Sequence, residues 1–155
     1  MLIQTKTPRW ARATLLYLAL TNAVPGIWAL FRPYDFYRYF PGFGRTWVSV
    51  DGPYNEHLLR DVGAFFLALA VLCFLTLLRP HLITVRATAT CLLVFNVPHL
   101  WYHLNHLHML PLMDQIGNVV SLSGGVLLSM LLLLHRPVSE KSNHSFLLKP
   151  KTSHE

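Results

Sequence analysis

Charge is scarce in this sequence. Asp, Glu, Lys and Arg make up 13% of its 155 residues, whereas hydrophobic residues make up 53%. Soluble domains carry about 25% charged residues, so the deficit argues against a globular protein surrounded by water. Apolar stretches occupy so much of the chain that no room is left for a separate soluble domain. The composition therefore predicts a single membrane domain.

Acidic residues and cysteines are especially few. Only five acidic residues precede the C-terminal tail: Asp35, Asp51, Glu56, Asp61 and Asp114. The net charge of +6 comes from Lys and Arg at the ends of apolar stretches and in the tails, where they orient a membrane chain and contact anionic headgroups. No basic patch rich in aromatics is present, so no nucleic-acid partner is expected. The two cysteines, Cys73 and Cys91, lie in apolar stretches and should act as small hydrophobic residues.

Four apolar stretches are long enough to cross a bilayer, which takes about 20 residues of helix. They cover residues 13–31, 56–78, 82–105 and 112–135. The first follows basic residues but has no small-x-small cleavage site, so we interpret it as a retained helix rather than a signal peptide. The sequence predicts an all-α, four-transmembrane-helix bundle over residues 1–135 and a disordered, polar, cytoplasmic tail over residues 136–155.

The basic residues predict the orientation of the bundle, because cytoplasmic loops are enriched in Lys and Arg. Nine of them would share one side with both termini: Lys6, Arg9, Arg12, Arg79, Arg86, Arg136, Lys141, Lys149 and Lys151. The other side keeps four: Arg32, Arg38, Arg45 and Arg60. We therefore expect a multi-pass protein of the cell membrane with both termini in the cytoplasm. Its partners would be the bilayer and either further copies of itself or another membrane subunit.

The connection between the first two helices, residues 32–55, is rich in aromatic side chains. It contains Tyr34, Phe36, Tyr37, Tyr39, Phe40, Phe43, Trp47 and Tyr54. Aromatic rings with a polar edge favour the headgroup layer, so the segment predicts an interfacial loop. A second hypothesis makes it a lid over a site in the bundle, since long ordered loops are often functional.

The second helix opens with four polar residues whose spacing brings them together in pairs. A separation of four residues places Glu56 beside Arg60 and His57 beside Asp61. Such pairs either allow charge at the edge of the membrane or contribute to a site.

Polar side chains also follow one face of each of the last two helices. Asn96, His99, His103 and His106 have the spacing of one helical face, and Asp114, Asn118 and Ser121 share another. With the predicted topology, these residues and the start of the second helix fall in the outer half of the membrane. Ionisable residues at that depth usually face the interior of a bundle, so we expect one shared site.

Imidazole and carboxylate ligands suit transition metals such as zinc, iron or copper. His99 and His103 have the spacing of two ligands on one helix, and His57 is the candidate third ligand. Glu56 and Asp61 are the candidate catalytic carboxylates, which would move protons or orient a ligand. Arg60, Asn96 and Asn118 are expected to be structural polar residues that join helices.

Two short motifs carry a family resemblance. YNEHLLRDVG (residues 54–63) and PHLWYH (residues 98–103) resemble signatures of small, uncharacterised bacterial four-helix membrane proteins, and the resemblance covers roughly residues 10–135. In size and layout that group is similar to the DoxX-like membrane proteins. The resemblance implies a four-helix fold and a link to quinone-coupled redox chemistry. It implies no catalytic residue.

The sequence leaves three functions open. The first is a metal site that performs redox or hydrolytic chemistry on a lipid-like substrate. The second is a DoxX-like accessory subunit that binds a quinone or a lipid between its helices. The third is a structural or assembly protein without a site, for which the small residues of the fourth helix would be an interface. Whether the protein is an enzyme is not decided by the sequence.

Overall fold

The computed structural model describes residues 7–135, and helices dominate it. The four long helices are α1 (Arg9–Phe31), α3 (Glu56–Leu78), α4 (Val85–His106) and α5 (Leu112–Leu134). A short helix, α2 (Pro33–Tyr39), and a small hairpin of β1 (Pro41–Gly42) and β2 (Arg45–Thr46) lie between α1 and α3. A 3-10 turn, Leu107–Met109, joins α4 to α5. The tail predicted over residues 136–155 lies outside the described residues.

The predominantly helical character expected from the sequence is confirmed. Three helices, α1, α3 and α5, are long and apolar enough to cross a membrane. α3 has the predicted bounds, whereas α1 begins at Arg9 rather than at residue 13, and α4 begins at Val85 rather than at residue 82. α4 is equally long but is not in that apolar group, because Asn96, Pro98 and its histidines lower its hydropathy. Its crossing of the bilayer stays a prediction.

α1 and α3 form the tightest helix pair of the molecule. A Cβ atom on Gly63 would lie 2.5 Å from the backbone nitrogen of Leu30, and one on Gly26 would lie 2.9 Å from that of Leu67. No real side chain tolerates such distances, so the two backbones touch where both residues are glycine. Small residues allow this approach between helices in a membrane.

α4 and α5 form the second close pair, and the two pairs make fewer contacts with each other. The Thr76 and Thr88 hydroxyls, 2.5 Å apart, join α3 to α4, and Asn96 Nδ2 donates to Ser129 Oγ at 3.4 Å between α4 and α5. Successive long helices run antiparallel: α3 to α1, α4 to α3 and α5 to α4. We call the end at which α1 and α4 finish the loop end, because the connection over residues 32–55 lies there.

The opposite half of the bundle is filled by a hydrophobic core to which all four long helices contribute. Its fully buried members include Ala11, Leu15, Cys73, Leu92 and Leu132. Burial of such side chains is worth about 1.5–3 kcal/mol each in water, but in lipid the packing itself holds the helices together. This half therefore joins the two helix pairs and leaves space between them only towards the loop end.

Candidate functional site

A cavity of about 760 Å³ lies between the two helix pairs, in the half nearer the loop end. Its volume falls within the range of about 300–1,000 Å³ that is typical of small-molecule sites. Apolar side chains form most of the wall, including Leu18, Leu59, Val62, Phe66 and Leu122. The arrangement can bury a mainly apolar molecule.

The polar faces predicted on the last two helices both reach this cavity. Asn96, His99 and His103 line it from α4, and Asn118 and Ser121 line it from α5. Asn22 of α1, which the sequence argument did not include, is 6% exposed and lines the opposite wall. The sequence did contain a signal for this residue, because Asn22 is an isolated amide in the middle of a hydrophobic stretch. His106 does not line the cavity, because its ring stacks on Tyr102, with centroids 4.1 Å apart.

His99 and His103 lie next to each other along α4. Their ring centroids are 4.7 Å apart, and the His99 ring also stacks on Phe95 at 4.9 Å. Among residues 7–135, neither imidazole has a hydrogen-bond partner. Both rings therefore keep their nitrogen atoms available to a molecule or an ion in the cavity.

The four polar residues at the start of α3 pair as their spacing predicted, but they lie elsewhere. His57 Nδ1 is 3.3 Å from Asp61 Oδ2, and Arg60 Nη2 is 2.8 Å from Glu56 Oε1. The His57 side chain is 89% exposed, and none of the four lines the cavity. The structure does not bring these residues to His99 and His103, and no three His, Cys, Asp or Glu side chains between residues 7 and 135 are placed to share one metal ion.

The aromatic segment, which we define as residues 32–55, lies over the loop end of the cavity. Phe36, Phe40, Trp47 and Tyr54 are part of the cavity wall, and a chain of ring contacts connects Phe36 to Phe40 at 4.6 Å and Phe40 to Trp47 at 6.0 Å. Loss of water contact, together with the nearby Glu56 carboxylate, raises the pKa of the Tyr54 phenol. The segment thus forms an aromatic roof over this end of the cavity.

One buried carboxylate anchors the aromatic segment to α5. Arg45 Nη1 donates to Asp114 Oδ1 at 2.6 Å, and Trp47 Nε1 donates to the same oxygen at 2.9 Å. Asp114 is 6% exposed. The sequence analysis placed Asp114 on the polar face of α5 but did not pair it with Arg45 or Trp47, because no spacing rule connects residues so far apart in the chain. Hydrogen bonds to an ionised group are stronger than neutral ones, so this contact holds the roof in place.

Exposed residues of the cavity wall show where it opens. On one side they are Tyr17 and Thr21 of α1 and Ser121 of α5, and on the other they are Leu58 of α3 and Tyr102 of α4. These residues lie along the flanks of the bundle, whereas residues 51–55, which are also exposed and line the cavity, lie at the loop end. The cavity therefore opens sideways, between the helix pairs, and also at the loop end.

Comparisons with known proteins return no relative for this arrangement. No model of a protein family, no curated protein and no solved structure matches the chain. The functional argument therefore depends on the residues and the geometry described above.

Proposed function

We propose that this chain is a four-span membrane protein that binds a lipid-like molecule in the cavity between its helix pairs. The observation that carries the proposal is the position of the cavity, which has mainly apolar walls, polar side chains from α1, α4 and α5, and openings on the flanks of the bundle. In a bilayer those flanks face acyl chains, so a ligand would enter from the membrane. The aromatic segment would then lie at the headgroup layer.

The proposed topology places both termini in the cytoplasm and includes α4 as the fourth span. Histidines and Asn96 can enter the membrane on α4 because they face the cavity rather than the lipid. The orientation is supported by the excess of Lys and Arg on one side, near the start of α1 and just after the end of α3.

Reporter fusions test this topology most sharply on either side of α4. A reporter that is active only in the cytoplasm should be active after Arg79, inactive after Met109 and active at the C-terminus. Equal activity after Arg79 and Met109 would show that α4 does not cross, and the four-span proposal would be wrong.

Ligand binding is tested by extracting the small molecules that co-purify with the protein in mild detergent. Gly125 lines the cavity, and a Cβ there would contact Asn96 at 3.5 Å, whereas a Cβ on Gly124 would meet no atom within 4 Å. Gly125→Leu should therefore fill the cavity, while Gly124→Leu is a matched control with the same change in helix propensity.

The expected result is a lipid-like species that mass spectrometry finds at near-stoichiometric amounts in the parent protein and in Gly124→Leu. Gly125→Leu should lose most of it. The same species in equal amounts in all three proteins would identify it as general bilayer lipid and contradict the proposal.

A transition metal, either zinc, iron or copper, held by His99 and His103 is a second candidate occupant. The adjacency of two imidazoles without partners supports it, and the bound molecule or water would supply the remaining ligands. Elemental analysis should find near-stoichiometric metal in the parent protein and none in a folded His99→Ala/His103→Ala variant. No metal in the parent after reconstitution with each ion would remove this candidate.

A further inference from the structure

We infer that the molecule held in the cavity carries a hydroxyl group and no anionic group, and that Asn118 is the residue that recognises this hydroxyl. The inference rests on the proposed function and specifies the chemical class of the ligand. It commits to neutral lipids with a free hydroxyl, such as long-chain alcohols and monoacylglycerols.

Asn118 contributes a fully buried amide with an unmet hydrogen bond to the wall of the cavity. The residue is 3% exposed, and within residues 7–135 its buried Oδ1 atom has no hydrogen-bond partner. A buried amide without a partner is unfavourable anywhere, and in a bilayer no water is present to compensate. A ligand that pairs with this amide removes the penalty.

Apart from the two imidazoles and two exposed phenols, the other polar groups that α1, α4 and α5 contribute to the wall have partners in the protein. Asn22 Nδ2 donates to the Leu18 carbonyl at 2.7 Å, and Asn96 Nδ2 donates to Ser129 Oγ at 3.4 Å. Ser121 Oγ donates to the backbone carbonyl of Asn118 at 3.0 Å. No such bond fixes the Asn118 amide, so a half-turn of the side chain can offer the ligand either its N–H or its carbonyl oxygen.

His103 lies at the level of Asn118, on the neighbouring helix of the same pair. Asn96 packs against Gly125 in the antiparallel α4–α5 pair, His103 follows Asn96 by seven residues, and Asn118 precedes Gly125 by seven. Both steps are about two helical turns. A neutral imidazole has one donor and one acceptor nitrogen, and the amide offers both functions. A hydroxyl group can donate to one of these residues and accept from the other, whereas an ether or a ketone can only accept.

The charges of the wall disfavour an anionic headgroup. Asp51 is the one charged residue that lines the cavity, and no Lys or Arg of the described chain lines it. A carboxylate or phosphate would lose its hydration without gaining a counter-ion. Fatty acids and phospholipids are therefore poor ligands compared with a neutral hydroxyl lipid of the same chain length.

Three synthetic probes with one brominated long chain separate these possibilities: the primary alcohol, its methyl ether and the carboxylic acid. Trp47 lines the cavity, so a bound brominated chain quenches its fluorescence. Titrations in detergent give the affinity of each probe, and a Trp47→Phe variant measures the quenching of the other tryptophans. Asn118→Leu removes hydrogen bonding at similar volume. Asn105→Leu is the control, because Asn105 is exposed on α4 and bonds only its own helix, at the Trp101 carbonyl.

The parent protein and Asn105→Leu should bind the alcohol about five- to tenfold more tightly than the ether, which is the discrimination expected from one or two hydrogen bonds. Asn118→Leu should bind the two equally. If Asn118→Leu does not yield folded protein, Asn118→Met makes the same test with a flexible side chain.

Equal affinity of the parent for alcohol and ether, or tightest binding of the acid, would overturn the inference while the proposed lipid site stands. A preference for the alcohol that persists in Asn118→Leu would overturn the role of Asn118. If no probe quenches Trp47, the proposed function itself fails.

Discussion

The contact between α1 and α3 differs sharply from the gap between the two helix pairs, although both lie at a similar depth of the bundle. At Gly26 and Gly63 the backbones touch, and a single methyl group would not fit. A short distance away, Asn22, His99 and Asn118 surround a cavity of about 760 Å³. The first region has no space between the two backbones, whereas the second has both space and several polar side chains.

Helix packing explains the first region, whereas the second region needs a functional explanation. In lipid, close packing of small residues supplies the association energy of helices, so the α1–α3 contact is explained by stability alone. Polar side chains without partners reduce stability, and three such groups around one cavity, His99, His103 and Asn118, are not explained by packing. The gap is therefore where a ligand is expected, and the experiments below test each side of the contrast.

The largest effect is expected at Gly63. In Gly63→Ala the new Cβ would lie 2.5 Å from the Leu30 backbone nitrogen, and neither backbone can move without separating the helices. We expect a loss of about 3 kcal/mol or more in the free energy of unfolding, the upper range for overpacked cores. Unfolding in mixed detergent with SDS, followed by circular dichroism, measures it.

Gly124→Ala is the control for this substitution, because a Cβ there would meet no atom within 4 Å. It should stabilise α5 by about 1 kcal/mol through helix propensity. Similar stabilities for the two variants would mean that the α1–α3 contact is not tight in the membrane.

An intermediate effect is expected where the aromatic segment is anchored. Asp114→Ala removes the acceptor of both Arg45 and Trp47, so the segment should open more often while the helices stay folded. We expect cleavage within residues 40–55 by a protease to be about tenfold faster, as the loss of charge-assisted hydrogen bonds implies, together with a red shift of tryptophan fluorescence.

Asp35→Ala provides the comparison, because the Arg32–Asp35 pair is equally short but exposed, with side chains 75% and 37% accessible. Exposed pairs contribute little, so its cleavage rate should match the parent. Equal rates for both variants would show that Asp114 does not hold the roof.

The smallest effect is expected for the pairs at the start of α3. His57 and Asp61 are exposed and lie outside the cavity wall, so a His57→Ala/Asp61→Ala variant should retain the co-purified lipid and the stability of the parent. His99→Ala should reduce the retained lipid. Loss of ligand in the first variant, with ligand kept in the second, would reverse the assignment of the site and restore the catalytic role predicted for Asp61.

Sequence patterns located most of the fold because each pattern is local. The bounds of α3 could be predicted exactly: Asn55 caps its first turn by accepting from Leu58 N at 3.0 Å, and Arg79 ends the apolar run. The four-residue spacing also predicted the pairs Glu56–Arg60 and His57–Asp61. The faces of α4 and α5 followed from helical periodicity, which shows which side chains share a side.

Other features depended on distances between helices, which no periodicity contains. The spacing in α3 gave no indication that Glu56, His57 and Asp61 point away from His99. The bond from Arg45 to Asp114 joins residues 69 positions apart, and the Gly26–Gly63 contact depends on the crossing of two helices.

The sequence alone determined that this chain is apolar and helical, with segments long enough to cross a membrane, because hydropathy and the 3.6-residue repeat act on each segment separately. Only the tertiary structure decided which polar faces meet, because the touching glycine backbones of α1 and α3 set that pair apart from α4 and α5. The resulting gap gathers Asn118, His99 and His103 around one cavity and leaves the α3 pairs outside it.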